Sequence, residues 1–164
     1  PWVANTHAWL EPTALAVLAL RREGFSTHQR VEEGIRLISD RAITNSGWNY
    51  GNVATFGTPL HPQPAPTGFA LLALAGLDVD DALIAAGCRY LLDSVPRVRS
   101  PRSLCWGLLG LAAWNRRPET ADAWLAESFA RVGDGPETAL DMAQLLLASS
   151  SRTLGLLGID APRS

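Results

Sequence analysis

Four stretches of the chain share one form, and that self-similarity limits the fold more than any other feature. They are Pro12-Thr13-Ala14-Leu15-Ala16-Val17-Leu18-Ala19-Leu20, Pro66-Thr67-Gly68-Phe69-Ala70-Leu71-Leu72-Ala73-Leu74, Arg102-Ser103-Leu104-Cys105-Trp106-Gly107-Leu108-Leu109-Gly110-Leu111, and Glu137-Thr138-Ala139-Leu140-Asp141-Met142-Ala143-Gln144-Leu145-Leu146-Leu147. Each starts with Thr or Ser and then turns apolar. The hydroxyl residues Thr13, Thr67, Ser103 and Thr138 are spaced by 54, 36 and 35 residues, so the first interval is one repeat plus an insertion. Proline beside the hydroxyl residue suits a helix start, where its missing N–H costs nothing. Segments apolar on nearly every side predict buried helices.

Between them the pattern turns amphipathic. Outer helices are expected over Gln29 to Ala42 (Val31, Ile35, Leu37 and Ile38 inward), Asp80 to Asp93 (Leu83, Ile84, Cys88, Leu91 and Leu92 inward) and Glu119 to Arg131 (Ala123, Trp124 and Phe129 inward). Breakers punctuate the joints: Arg22-Glu23-Gly24, Asn45-Ser46-Gly47, Ala75-Gly76, Val95-Pro96 and Gly133-Asp134-Gly135-Pro136. The insertion, Trp48 to Ala65, reads as a long loop, and no β-branched alternating run long enough for a sheet appears. The expectation is an all-α domain over residues 1–164, with about seven main helices and a terminal fragment from Arg152 to Ile159.

Composition removes several chemistries. All 14 basic residues among the 164 are arginine, so no ε-amine exists for a Walker-type phosphate loop, a Schiff base or a PLP linkage. The formal net charge is −2 and the arginines are scattered, which gives no basic face for nucleic acid. Cys88 and Cys105 form no CxxC pair, and His7, His28 and His61 stand far apart, so local zinc spacing is absent. Two isolated thiols read as buried apolar residues of a reducing compartment, hence a cytoplasmic or at most membrane-peripheral protein. The longest apolar stretches fall short of the ~20 residues that cross a bilayer. The start, Pro1-Trp2-Val3, carries no leader, and the expectation is a piece of a longer chain or one completed by a partner.

The repeated P-T-x-x-x-L-L-A-L segment, the outer pattern Ala82-Leu83-Ile84-Ala85-Ala86-Gly87-Cys88-Arg89-Tyr90-Leu91-Leu92, and the turn Ser46-Gly47-Trp48-Asn49-Tyr50-Gly51 resemble the prenyltransferase and squalene-cyclase repeat. The resemblance covers nearly the whole chain. It implies a partial α/α toroid of helical hairpins, with inner helices around an apolar, aromatic-lined cavity for an isoprenoid-like ligand. Closing such a ring takes about six hairpins, and at about 36 residues each this chain supplies about three and a half. Self-association, or pairing with the missing part of the toroid, is therefore expected.

The family's chemistry is tested residue by residue. Class II terpenoid cyclases protonate an alkene with a neutral carboxyl group from a D-x-D-D motif before an inner helix. Asp78-Val79-Asp80-Asp81 has those letters but opens an outer helix, where aspartates cap and compensate the dipole. Before the first inner helix the sequence reads Trp9-Leu10-Glu11-Pro12-Thr13, which makes Glu11 the better candidate acid. Asp141, inside an otherwise apolar inner helix, is the second, because a buried carboxylate costs several kcal/mol unless it is paired, protonated or facing a cavity or water.

The zinc site of protein prenyltransferases is missing around Cys105 and Trp106, as are the cysteine-histidine pair of lantibiotic cyclases and the G-C-G-E-Q thioester signature. No metal or cofactor is expected. Trp9 and His7 lie before an inner helix at one mouth of the toroid, with Trp106 near its cavity. Trp48 and Tyr50 either line a pocket or staple neighbouring hairpins. Two functions stay open: a terpenoid-cyclase-like or prenyltransferase-like domain with an apolar pocket, or a non-catalytic helical-repeat scaffold for protein interaction and assembly.

Overall fold

Helix-start chemistry recurs along the chain at the places where the sequence turns apolar. The computed structural model describes residues 8–150 and 153–159. Its helices are α1 (Leu10–Arg22), α2 (Gln29–Asp40), α3 (Pro64–Leu74), α4 (Asp81–Ser94), α5 (Pro101–Ala112), α6 (Ala121–Phe129), α7 (Thr138–Ser149) and α8 (Thr153–Leu156), with a 3₁₀ turn at Val95–Arg97. Proline occupies the first turn of α3 and α5. Side chains cap three starts: His28 Nδ1 accepts from the Arg30 N–H, Asp80 Oδ1 from Ala82, and Ser100 Oγ from Ser103. Asp80 thus spends its carboxylate on a helix N-terminus. Left-handed residues follow the inner helices: Gly24 after α1, Gly76 after α3 and Asn115 after α5.

The described residues are all-α but for one small hairpin. Where the sequence predicts only a loop, Ala54–Thr55 (β1) and Thr58–Pro59 (β2) pair antiparallel around Phe56 and Gly57, both at positive φ. Two left-handed residues make a two-residue hairpin turn whose twist matches its strands, and strands this short leave no alternating pattern to read.

α3 lies between α1 and α5, and α5 between α3 and α7. The others form a second layer: α2 packs on α1 and touches α3, α4 packs on α3 and α5, and α6 on α5 and α7. The expected burial holds for α3, all 11 of whose residues are buried. It fails at the two ends of the row. Leu15 on α1 and Leu146 on α7 are exposed, because among the described residues no neighbouring helix lies beyond them. Phe129, expected inward on α6, is 55% exposed for the same reason, and Ala121, Leu125 and Ser128 are buried instead.

Candidate functional site

The inner helices run parallel, so their first turns gather at one end of the molecule. There the Leu10 N–H donates to the Tyr50 carbonyl at 2.9 Å, joining the 48–51 turn to the start of α1. Glu11, in the first turn of α1, accepts from the guanidinium of Arg102, in the first turn of α5. Trp9 is 60% exposed and Tyr50 is exposed. Trp106 lies one turn below Arg102 on the same face of α5 and stacks on the buried ring of Phe69, with centroids 4.2 Å apart. Of the sequence candidates, the structure therefore brings Trp9, Glu11 and Tyr50 to one end, with Trp106 just below. His7 lies outside the described residues.

Glu11 has the wrong surroundings for a cyclase acid. That chemistry needs a carboxyl group kept neutral among apolar groups, whereas Glu11 is partly exposed and faces a cation. Asp141 lies in the first turn of α7, partly exposed, at the far end of the row from Glu11.

Trp48 is elsewhere. It is wholly buried, and its indole N–H donates to the Ile38 carbonyl at 2.7 Å. Its ring touches the Gly87 backbone of α4, where an added Cβ would come within 2.8 Å. The Thr67 hydroxyl accepts from the Trp48 N–H at 2.9 Å and donates to the Trp48 carbonyl at 3.2 Å. Trp48 thereby links α2, α3 and α4, which is the work of a staple.

At the opposite end, arginines serve the helix C-termini. Arg21 donates to the carbonyls of Ala73 and Ala75 at 2.9 and 2.8 Å, closing α3, and partial burial lowers its pKa. Arg22 donates to Leu156, holding α8 against the end of α1. Arg117 pairs with Asp122 at 2.7 Å and reaches the Ala148 carbonyl of α7. Apart from the pair of Arg117 and Asp122, these contacts join residues 31 to 134 positions apart, so no local pattern announces them.

The thiols are structural. Cys88 and Cys105 are both free and buried, and burial pushes the Cys88 thiol up and the Cys105 thiol up to about 12. Among the described residues no group of His, Cys, Asp and Glu is arranged to hold a metal, and no helix is long and apolar enough to cross a membrane.

One surface is open and apolar. A groove of about 540 Å³ runs between α6 and α7, lined by Leu125, Ala126, Phe129, Met142, Ala143 and Leu146 among others. The open ring implied by the repeat count predicts exposed apolar flanks at the end helices, whereas the helix pattern places Phe129 and Leu146 inward, and both are exposed. Comparison with family models, curated proteins and solved structures finds no match for this chain.

Proposed function

We propose that the chain is a non-catalytic helical-repeat scaffold, an open arc of the α/α toroid type whose role is assembly with protein. The burial of α3 on every side carries this reading: α3 and α5 pack backbone against backbone where a cargo chamber would need space. The ion-paired Glu11, the first-turn Asp141 and the inert thiols support it, since none has the setting of an acid or nucleophile. The unpartnered apolar faces at both ends of the row are what an assembling repeat presents.

An isoprenoid-type ligand is the second reading, favoured by the apolar groove, whose volume falls in the range of small-molecule pockets. Incubation with polyprenyl diphosphates and with squalene separates the two. The scaffold gives no product. A product whose formation is lost in Glu11→Gln or Asp141→Asn overturns the scaffold reading.

A further inference from the structure

Residues 49–62 leave the helical body and return to the same place. The Gln63 N–H donates to the Trp48 carbonyl at 2.8 Å, closing the base of the excursion, and the Leu60 N–H donates to the Val53 carbonyl at 2.9 Å, where the hairpin begins. Beyond that pair lie only β1, β2 and the turn Phe56-Gly57. The tip stands three residues from Val53, about 10 Å at the rise of a strand. Every residue from Asn52 to Pro59 is exposed.

Phe56 is doubly misplaced there as a structural residue. Its ring is exposed in full. Its φ of 50° lies in the left-handed region, where glycine, asparagine or aspartate is the usual turn residue and a bulky side chain is strained. Neither packing nor turn chemistry explains a phenylalanine at this position, so its use lies in what it meets outside the chain.

The surrounding chemistry favours lipid. Between Arg41 and Asp78 the chain has no Asp, Glu, Lys or Arg, although such residues make up 18% of it, and its one histidine there, His61, lies outside the hairpin tip. Part of that stretch is the buried α3, but the hairpin is in full contact with water. A protein partner is steered and held in register by charge pairs, and the tip offers none. A bilayer penalises charge and asks for no matching shape. Beside the base stand the exposed rings of Trp9 and Tyr50, a residue pair that the membrane–water boundary favours. The Arg41 guanidinium, which donates to Asn52 Oδ1 at 3.2 Å, is the cation nearest the hairpin along the chain.

We infer that the tip of this hairpin inserts into the surface of a phospholipid bilayer, with Phe56 deepest and Trp9, Tyr50 and Arg41 at the level of the headgroups. A reach of about 10 Å matches the ~5–10 Å to which interfacial segments sink. The inference goes beyond the scaffold reading and stands without it. One ring on a short hairpin buries little apolar area, so the attachment is weak and reversible. Without a cationic cluster it needs no anionic lipid.

The test is flotation of the full chain with vesicles of phosphatidylcholine alone, over a series of lipid concentrations and at low and high salt. The wild type is expected to bind, with little change in ~1 M salt or on adding phosphatidylserine. Phe56→Asn removes the ring and suits the left-handed turn. It should weaken vesicle binding about tenfold or more, the factor that burying one phenylalanine side chain supplies, while its urea midpoint stays level or rises. A ring kept for folding would instead lower the midpoint. Phe25→Asn, which removes a ring 54% exposed just after α1, should bind as the wild type does. A wild type that does not float with phosphatidylcholine, a Phe56→Asn variant that floats equally well, or binding that requires phosphatidylserine and is lost in salt overturns the inference. Self-association that Phe56→Asn abolishes, without vesicle binding, also overturns it and gives the tip to a second copy. None of these results touches the scaffold reading, which falls only to product formation from the isoprenoids.

Discussion

A methyl group placed on Gly68 would lie 2.0 Å from the carbonyl oxygen of Trp106, and one on Gly110 would lie 2.7 Å from the Gly68 Cα. Helices α3 and α5 therefore meet backbone to backbone, and the atoms in the way cannot rotate aside. Gly68→Ala gains at most about 1 kcal/mol of helix propensity. The overpacking it causes costs about 1–3 kcal/mol or more, so the clash wins. The expected outcome is a net loss near 2 kcal/mol, read as a lower urea midpoint. Gly155→Ala, where an added Cβ meets nothing within 4 Å, should be neutral or slightly stabilising.

The Thr67 hydroxyl is wholly buried and is spent on both the N–H and the carbonyl of Trp48. Thr67→Val keeps the shape and strands the Trp48 N–H without its acceptor. A loss of about 1–3 kcal/mol is expected. Thr67→Ser keeps the hydroxyl and removes one methyl, so it should cost about 1 kcal/mol. Chemical denaturation of the two variants gives the order, and a larger loss in Thr67→Ser than in Thr67→Val would mean that the methyl packing rather than the hydrogen bonding decides.

These two sites also show which parts of the structure were legible in the sequence. The starts of α3 and α5 could be read because proline and a hydroxyl or cap residue act within one turn, and the inner and outer layers because burial follows the period of the helix. The bond between Trp48 and Thr67 spans 19 residues and the pair of Glu11 and Arg102 spans 91, so neither leaves a local trace. The reading of α6 failed for a third reason. Phe129 has the spacing of a core residue, yet among the described residues no helix covers that side of α6 and α7. The pattern encoded a packing face; it could not encode whether that face was filled.

Burial raises the Cys105 thiol from an ordinary value near 9 to about 12. A raised folded-state value means that the thiol stays neutral in the fold while the unfolded chain ionises first. Stability from this group is therefore intact below about pH 9 and falls as pH rises toward 12. Cys88 and Tyr90, also raised by burial, push the same way. Cys105→Ala should be less stable at pH 7 and show a shallower loss between pH 9 and 12. At pH 8 the folded protein should react with a thiol reagent far more slowly than the unfolded chain, in a time course of thiol modification with and without denaturant.

The ion pair of Glu11 and Arg102 joins the first turns of α1 and α5 while both side chains keep contact with water, 26% and 41% exposed. Partly exposed pairs contribute about 0–1 kcal/mol, because solvent screens the attraction and two long side chains must be ordered. Glu11→Gln should accordingly cost less than about 1 kcal/mol. A double-mutant cycle with Arg102→Gln should give a coupling of a few tenths of a kcal/mol that shrinks toward zero in ~1 M salt, where the screening length is only ~3 Å. A carboxyl group held neutral for proton donation would behave differently, since glutamine would replace it with little change and salt would not alter the result. Urea unfolding of wild type, both single variants and the double variant at low and high salt therefore reads the chemical character of Glu11 directly. A coupling already near zero at low salt and unchanged in ~1 M salt would return Glu11 to the list of candidate acids.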